Sequence, residues 1–274
     1  MKVGIIGGTR GMGRLFAKLF YENGHDVSVA GKTTPIRPLS LVEKVDLVIV
    51  SVPIRMTIPV IEEITPFLRK DQIICDLTSL KVEPVEAMLR SDAQVIGLHP
   101  MFGPGVQSLK NQVIIVTPAR CSDETLSFIL NIFKSEGARI TMTTPESHDK
   151  AMAIVQGLMH FSSLLIAETI HMMGVQPESL LKYASPVYRM EMGVVGRLLA
   201  QDGSLYGDIL QMNPYFRQIL ENYNKAAEKV SKIILDSDFS GFNSLFELNK
   251  AFFGQFSESA MEETNHIIQI LAER

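Results

Sequence analysis

Lys2-Val3-Gly4-Ile5-Ile6-Gly7-Gly8-Thr9-Arg10-Gly11-Met12-Gly13 decides how the first half of the chain is read. A short β-rich run at 3–6 enters a glycine-rich turn. From 14 to 23 the spacing predicts a helix with Leu15, Phe16, Leu19 and Phe20 on one face. Glycines let the chain reverse tightly and let backbone approach a ligand. A helix beginning at such a turn presents unpaired N–H groups and the positive end of its dipole, which together hold phosphate. Strand, glycine turn and helix in that order read as a dinucleotide-binding turn, with Gly8, Thr9, Arg10, Gly11, Met12 and Gly13 as the candidate contacts. The spacing departs from the usual pattern in one place. With Gly8 and Gly13 at its ends, Arg10 stands where a middle glycine is customary.

Further β-rich runs follow at 27–30, 45–52, 72–76, 94–98 and 113–117, alternating with helical patterns. That alternation predicts a parallel sheet covered by helices on both faces, with a reduced helix between the second and third strands. The second strand leads into Ala30-Gly31-Lys32-Thr33-Thr34, where an acid that would bond the ribose 2′-hydroxyl of NAD is missing. Lys32, Thr33 and Thr34, aided by Arg10, suit a 2′-phosphate instead, so NADP is favoured slightly over NAD. A solvated loop lysine remains the alternative for Lys32.

After about residue 144 the pattern becomes helical, beginning with an apolar stretch over 151–173 that contains His160 and Glu168. We read that stretch as a buried helix and not a membrane span. Further helices are expected at 178–184, 188–201, 214–235 and 240–272, the last interrupted. The fold class is thus an α/β Rossmann-type dinucleotide-binding domain, 1–145, followed by an all-α helical domain, 146–274, for substrate binding and dimerisation. A chain of 274 residues, 46% hydrophobic and 20% charged, supplies two cores. Its net charge of −4 argues against a nucleic-acid partner. No membrane partner is expected from the apolar runs, and the N-terminus lacks the features of a signal peptide. Cys75 and Cys121 stand apart, as buried thiols of a cytoplasmic protein do, and no metal-ligand spacing occurs.

Gly97-Leu98-His99-Pro100-Met101-Phe102-Gly103-Pro104 follows from the fifth run. Ligands of open α/β sheets bind at the carboxyl ends of strands, and a histidine there, with an ordinary pKa of about 6.5, can accept a proton at neutral pH.

This octapeptide resembles the active-site segment of prephenate dehydrogenases, particularly the bacterial enzymes fused to chorismate mutase. The likeness continues, in order, through Val50-Ser51-Val52-Pro53-Ile54, Asp76-Leu77-Thr78-Ser79-Leu80-Lys81, Glu146-Ser147-His148-Asp149, His160-Phe161 and Ser185-Pro186-Val187-Tyr188-Arg189-Met190-Glu191. Val195-Gly196-Arg197-Leu198 and Ala200-Gln201-Asp202 extend it to about residue 210. The resemblance implies oxidative decarboxylation of prephenate, with hydride passed to NAD or NADP. It assigns His99 as the base and Ser79 as the residue orienting it. Arg189, His160 and, less securely, Lys81 are assigned to the substrate, and Val52 and Pro53 join the cofactor contacts. A helical second domain with so much apolar surface is expected to form a homodimer. Prephenate is a dianion, and a guanidinium grips a carboxylate through two N–H bonds, which agrees with the part given to Arg189. Two rival readings stay open: the same chemistry on arogenate, and a non-catalytic NADP-binding regulator on this fold.

Overall fold

The computed structural model describes residues 1–273. Seven strands form one sheet: β1 Lys2–Ile6, β2 Asp26–Ala30, β3 Leu47–Val50, β4 Ile73–Asp76, β5 Gln94–Pro100, β6 Val113–Arg120 and β7 Arg139–Met142. Their order across the sheet is β2-β1-β3-β4-β5-β6-β7. The accompanying helices are α1 Gly11–Glu22, α2 Pro38–Val42, α3 Ile54–Ile64, α4 Val82–Leu89, α5 Asp123–Ser135 and α6 Pro145–Met152.

Every residue of β3 and β4 is buried, as expected of uninterrupted apolar runs covered on both faces. On one face Phe16, Leu19 and Phe20 of α1 pack with Ile129, Leu130 and Phe133 of α5. On the other, Leu41 and Val42 of the short α2 join Ile61 and Ile64 of α3 and Val85 and Met88 of α4. The sheet departs from the expected parallel pattern at β6, which runs antiparallel to β5. No helix lies in the connection 101–112, and a parallel return needs a crossover of a dozen or more residues, usually a helix. Strand β7, parallel to β6, has no counterpart among the sequence expectations; its four residues are too few to give a period.

The rest is helical. A π-helical turn, Ala153–Leu158, leads into α7 Met159–Met172, followed by α8 Pro177–Leu180 and α9 Pro186–Leu199. Then come α10 Gly203–Met212, α11 Phe216–Leu235, α12 Phe239–Phe253 and α13 Gln255–Ala272. The expected interruption of the last helix falls at Gly254, whose φ of +50° favours a residue without a side chain.

The chain forms two compact units. The first is Met1–Val155 together with Ser204–Tyr215; the second is Gln156–Gly203 and the chain from Phe216 onward. The first unit therefore runs about ten residues past 145 and takes in α10. Asp208 of α10 pairs with Arg55, Ile209 packs with Ile54 and Leu80, and Asn213 donates to the carbonyl of Asp149 at 2.8 Å.

In the second unit the expectation of a buried apolar helix fails. No residue of α7 is buried in the single chain, and Met159, Leu164, Ile166 and Met172 are exposed. Across 145–172 the helix is long and apolar enough to span a membrane by length and composition, contrary to the reading of the apolar runs. Its first turns belong to the first unit, however, where His148, Asp149 and Met152 are buried.

Candidate active site

The glycine turn sits where β1 and β3 end side by side, the point at which the strand order reverses. Gly7 has a φ of +90°, and a Cβ there would run into the carbonyl oxygen of Ser51. A Cβ on Gly13 would lie 2.5 Å from the Gly7 carbonyl oxygen. Both glycines are thus required, one by conformation and one by the helix lying against the turn. Arg10 is the N-cap of α1, with an extended φ of −153° that any residue adopts, and no side chain caps the helix. The cradle that a dinucleotide pyrophosphate needs, a tight turn with open helix N–H groups, is therefore present and fits that group.

At the end of β2 the turn is closed by Thr34, whose hydroxyl accepts from the Gly31 amide at 2.8 Å and lies 3.0 Å from the Gly31 carbonyl oxygen. Thr34 is thereby engaged with its own backbone and is not turned out toward a phosphate. Lys32, Thr33, Arg10 and Thr9 are exposed, and the Thr9 side chain lies against Gly31. Val52 and Pro53 lie directly after β3, with Pro53 as the N-cap of α3.

The chemistry gathers at the carboxyl ends of β4 and β5. β5 outruns β4, so His99 pairs with Ile115 of β6 beyond the last residue of β4. His99 is 3% exposed. Its Nδ1 lies 2.8 Å from Nε2 of His148, and Nδ1 of His148 lies 2.7 Å from Oδ1 of Asp149. The same carboxylate accepts the Lys81 amide at 2.8 Å and the Val82 amide at 2.9 Å. It thereby caps α4 from another element, a task Ser79 does not perform. Thr144 accepts from the Ser147 amide and starts α6, which brings His148 and Asp149 to the sheet.

Beneath this row lies a second buried pair. The Lys81 ammonium is fully buried against the carboxylate of Asp76, which also accepts the Thr78 amide at 3.0 Å. Burial pulls both groups toward their neutral forms, and their attraction opposes it. Lys81 was expected at the substrate. Its charge is answered by Asp76 and its surface is wholly covered. Burial, then the neighbouring His148 and the Lys81 charge, hold the His99 ring well below its ordinary pKa of 6.5. Burial lowers His148 as well, against the pull of Asp149. Both rings are therefore neutral at physiological pH, and a neutral His99 is competent to take a proton.

Of the other expected residues, Ser79 is partly buried in the loop between β4 and α4. His160 and Arg189 belong to the second unit. His160 is half-buried at the start of α7, and burial lowers its pKa; Arg189 is exposed in the first turn of α9. The residues that sequence reasoning left without a role are Asp76, His148, Asp149 and Asn213. A signal existed for one of them. His148 and Met152 are four apart on α6, so the polar residue shares a face with a core methionine.

Two family models match the chain. One, described as the prephenate dehydrogenase nucleotide-binding domain, matches residues 22–142; the other, the prephenate dehydrogenase dimerization domain, matches 144–248. The glycine turn precedes the first match and is supported by its own geometry. A "Probable arogenate/prephenate dehydrogenase" of Methanocaldococcus jannaschii is 34% identical over 93% of this chain and 61% of its own length. A "T-protein" of Haemophilus influenzae is 32% identical over 98% of this chain and 71% of its own. The chain thus spans about six to seven tenths of these relatives. Among solved structures, the prephenate dehydrogenase of Aquifex aeolicus in complex with hydroxyphenyl propionate and NAD+ superposes with a TM-score of 0.71. It is 20% identical and aligned over 92% of this chain and 97% of that one, which speaks for the fold.

Proposed function

As this chain belongs to the prephenate dehydrogenase family, we propose that it converts prephenate to 4-hydroxyphenylpyruvate and carbon dioxide, with hydride passed to a nicotinamide dinucleotide. The observation that carries the reading is the buried His99, whose pKa burial holds down, aligned by a hydrogen-bonded row at the carboxyl end of the sheet whose first turn is a dinucleotide cradle.

When bound, the dinucleotide accepts the hydride from the carbinol carbon of the substrate. His99 takes the hydroxyl proton as that carbon becomes a carbonyl. The bond from the ring to its carboxylate then breaks, carbon dioxide leaves, and the electron pair enters the ring, whose oxygen regains a proton as the phenol. Aromatisation drives this last step, so the protein's tasks are to hold the dianion, to accept one proton and to exclude water. Arg189 is the proposed anchor for the ring carboxylate, and His160 is the proposed contact for the side chain. Ser79 orients His99. Gly8, Thr9, Gly11, Met12 and Gly13, with Val52 and Pro53, hold the dinucleotide.

NADP is the proposed preference, on Lys32, Thr33 and Arg10 at a strand end that carries no acid. A homodimer through the second unit is proposed on its exposed apolar helices and on the name of the family model matching there. The reducing cytoplasm suits the two free thiols Cys75 and Cys121. Following NADH and NADPH formation with prephenate and with arogenate, each paired with each cofactor, tests the reading. Turnover of prephenate is expected; turnover confined to arogenate moves the substrate, and none with either contradicts the proposal.

A further inference from the structure

The row His99–His148–Asp149 has a direction. Asp149 receives two backbone N–H bonds, one on each carboxylate oxygen, and each of those oxygens is therefore an acceptor. The imidazole nitrogen 2.7 Å from Oδ1, Nδ1 of His148, must then carry the proton. In a neutral ring this leaves the lone pair on Nε2, the atom that faces His99 Nδ1 at 2.8 Å. His99 must donate there, which puts its own lone pair on Nε2. The alternative tautomer of His99 would set two lone pairs against each other inside a buried site.

We propose that His148, oriented by Asp149, is a positioning residue that fixes the tautomer of His99 and so makes Nε2 the atom that accepts the substrate proton. The proposal rests on His99 being the base. Asp149 is itself anchored on two sides: its carboxylate caps α4, and its carbonyl receives Asn213 from the 204–215 segment. Of the charged and titratable groups that bear on the two rings, Asp149, Lys81 and Asp76 are buried along with His148. With this row intact, a proton gained at His99 Nε2 leaves its Nδ1–H directed at an acceptor that Asp149 supports. The reaction thus ends with the imidazolium already hydrogen-bonded and no group needing to turn.

The test compares His148→Gln with His148→Leu in the full chain. A glutamine amide oxygen can still accept from His99 Nδ1, whereas leucine cannot. The Leu variant is expected to lose kcat by about tenfold to a hundredfold, less than the roughly 10²- to 10⁴-fold that a positioned acid–base group itself supplies. Its KM and its dinucleotide affinity should hold, and its kcat–pH profile should keep an acidic limb, since His99 must still be unprotonated, with that limb displaced from the parent's. The Gln variant is expected to recover most of the rate. Melting temperature and dinucleotide binding report whether each variant is folded; should the Leu variant unfold, the Gln and Asn variants carry the comparison, since asparagine is too short to reach His99. Equal loss in Gln and in the variant lacking the acceptor overturns the proposal, as does kcat within twofold of the parent in all. His99→Asn run alongside separates the two failures. If it is inactive while the His148 variants are normal, only the positioning role falls; if it too is active, the reading of His99 as the base falls.

Discussion

The two units of this chain solve the problem of apolar surface differently. The first buries Phe16, Phe20, Phe133 and the runs of β3 and β4 within itself, and its polar interior groups are arranged as partners: Lys81 with Asp76, and His148 with Asp149. In the second, Val195 and Phe216 are the buried hydrophobic side chains among the described residues. Phe239, Phe252, Leu235 and Met172 are each about four-fifths exposed, at 80%, 86%, 82% and 79%. Apolar patches of that extent mark interaction surfaces. The difference teaches that one unit is complete as a single chain and holds the proposed base, while the other leaves apolar surface uncovered, for which we propose another copy as the cover.

The largest effect is expected where the second unit is made polar. Phe252→Asp combined with Phe253→Asp should shift the molecule from a dimer to the 30.5 kDa single chain in light scattering. Two aromatic anchors at about 2 kcal/mol each correspond to roughly a thousandfold in affinity. A dimer that survives the double substitution would show that these faces are not the interface and would break the comparison. Next comes Arg189→Gln. Losing a charge-assisted carboxylate contact costs about 2 kcal/mol or more, roughly thirtyfold in the KM for prephenate, with dinucleotide affinity unchanged. A loss of dinucleotide binding instead would move Arg189 out of the substrate role. The smallest is the cofactor choice. Lys32→Ala with Arg10→Gly should erase a preference for NADP of about tenfold, read as kcat/KM with each dinucleotide. A parent enzyme favouring NAD would show that Lys32 is merely solvated.

How far the sequence revealed all this differs between the units for the same physical reason. In the first, glycines and continuous apolar runs report local constraints. Gly7 and Gly13 have no alternative at their positions, and β3 and β4 are buried along their whole length, so the cradle and most of the sheet were legible. The position of His99 near the end of a strand was legible from the run that precedes it. The antiparallel β6 was not, since strand direction depends on how a connection closes and not on the residues in the strand. His148 and Asp149 went without a role because their meaning is tertiary: the carboxylate caps a helix 67 residues away. The burial of Lys81 was not legible because a lysine is seldom fully buried and nothing near it in sequence states that its partner is Asp76. In the second unit helices were found by their patterns, but the burial of 151–173 was expected from composition alone. Apolar composition does not say whether the covering surface lies in the same chain.

The central claim is that the first unit carries the base, and kcat of His99→Asn measured with prephenate at saturating dinucleotide tests it most directly. The account predicts a loss of about 10²- to 10⁴-fold, with dinucleotide affinity and melting temperature close to those of the parent. A variant that turns over at a rate near the parent's would contradict it.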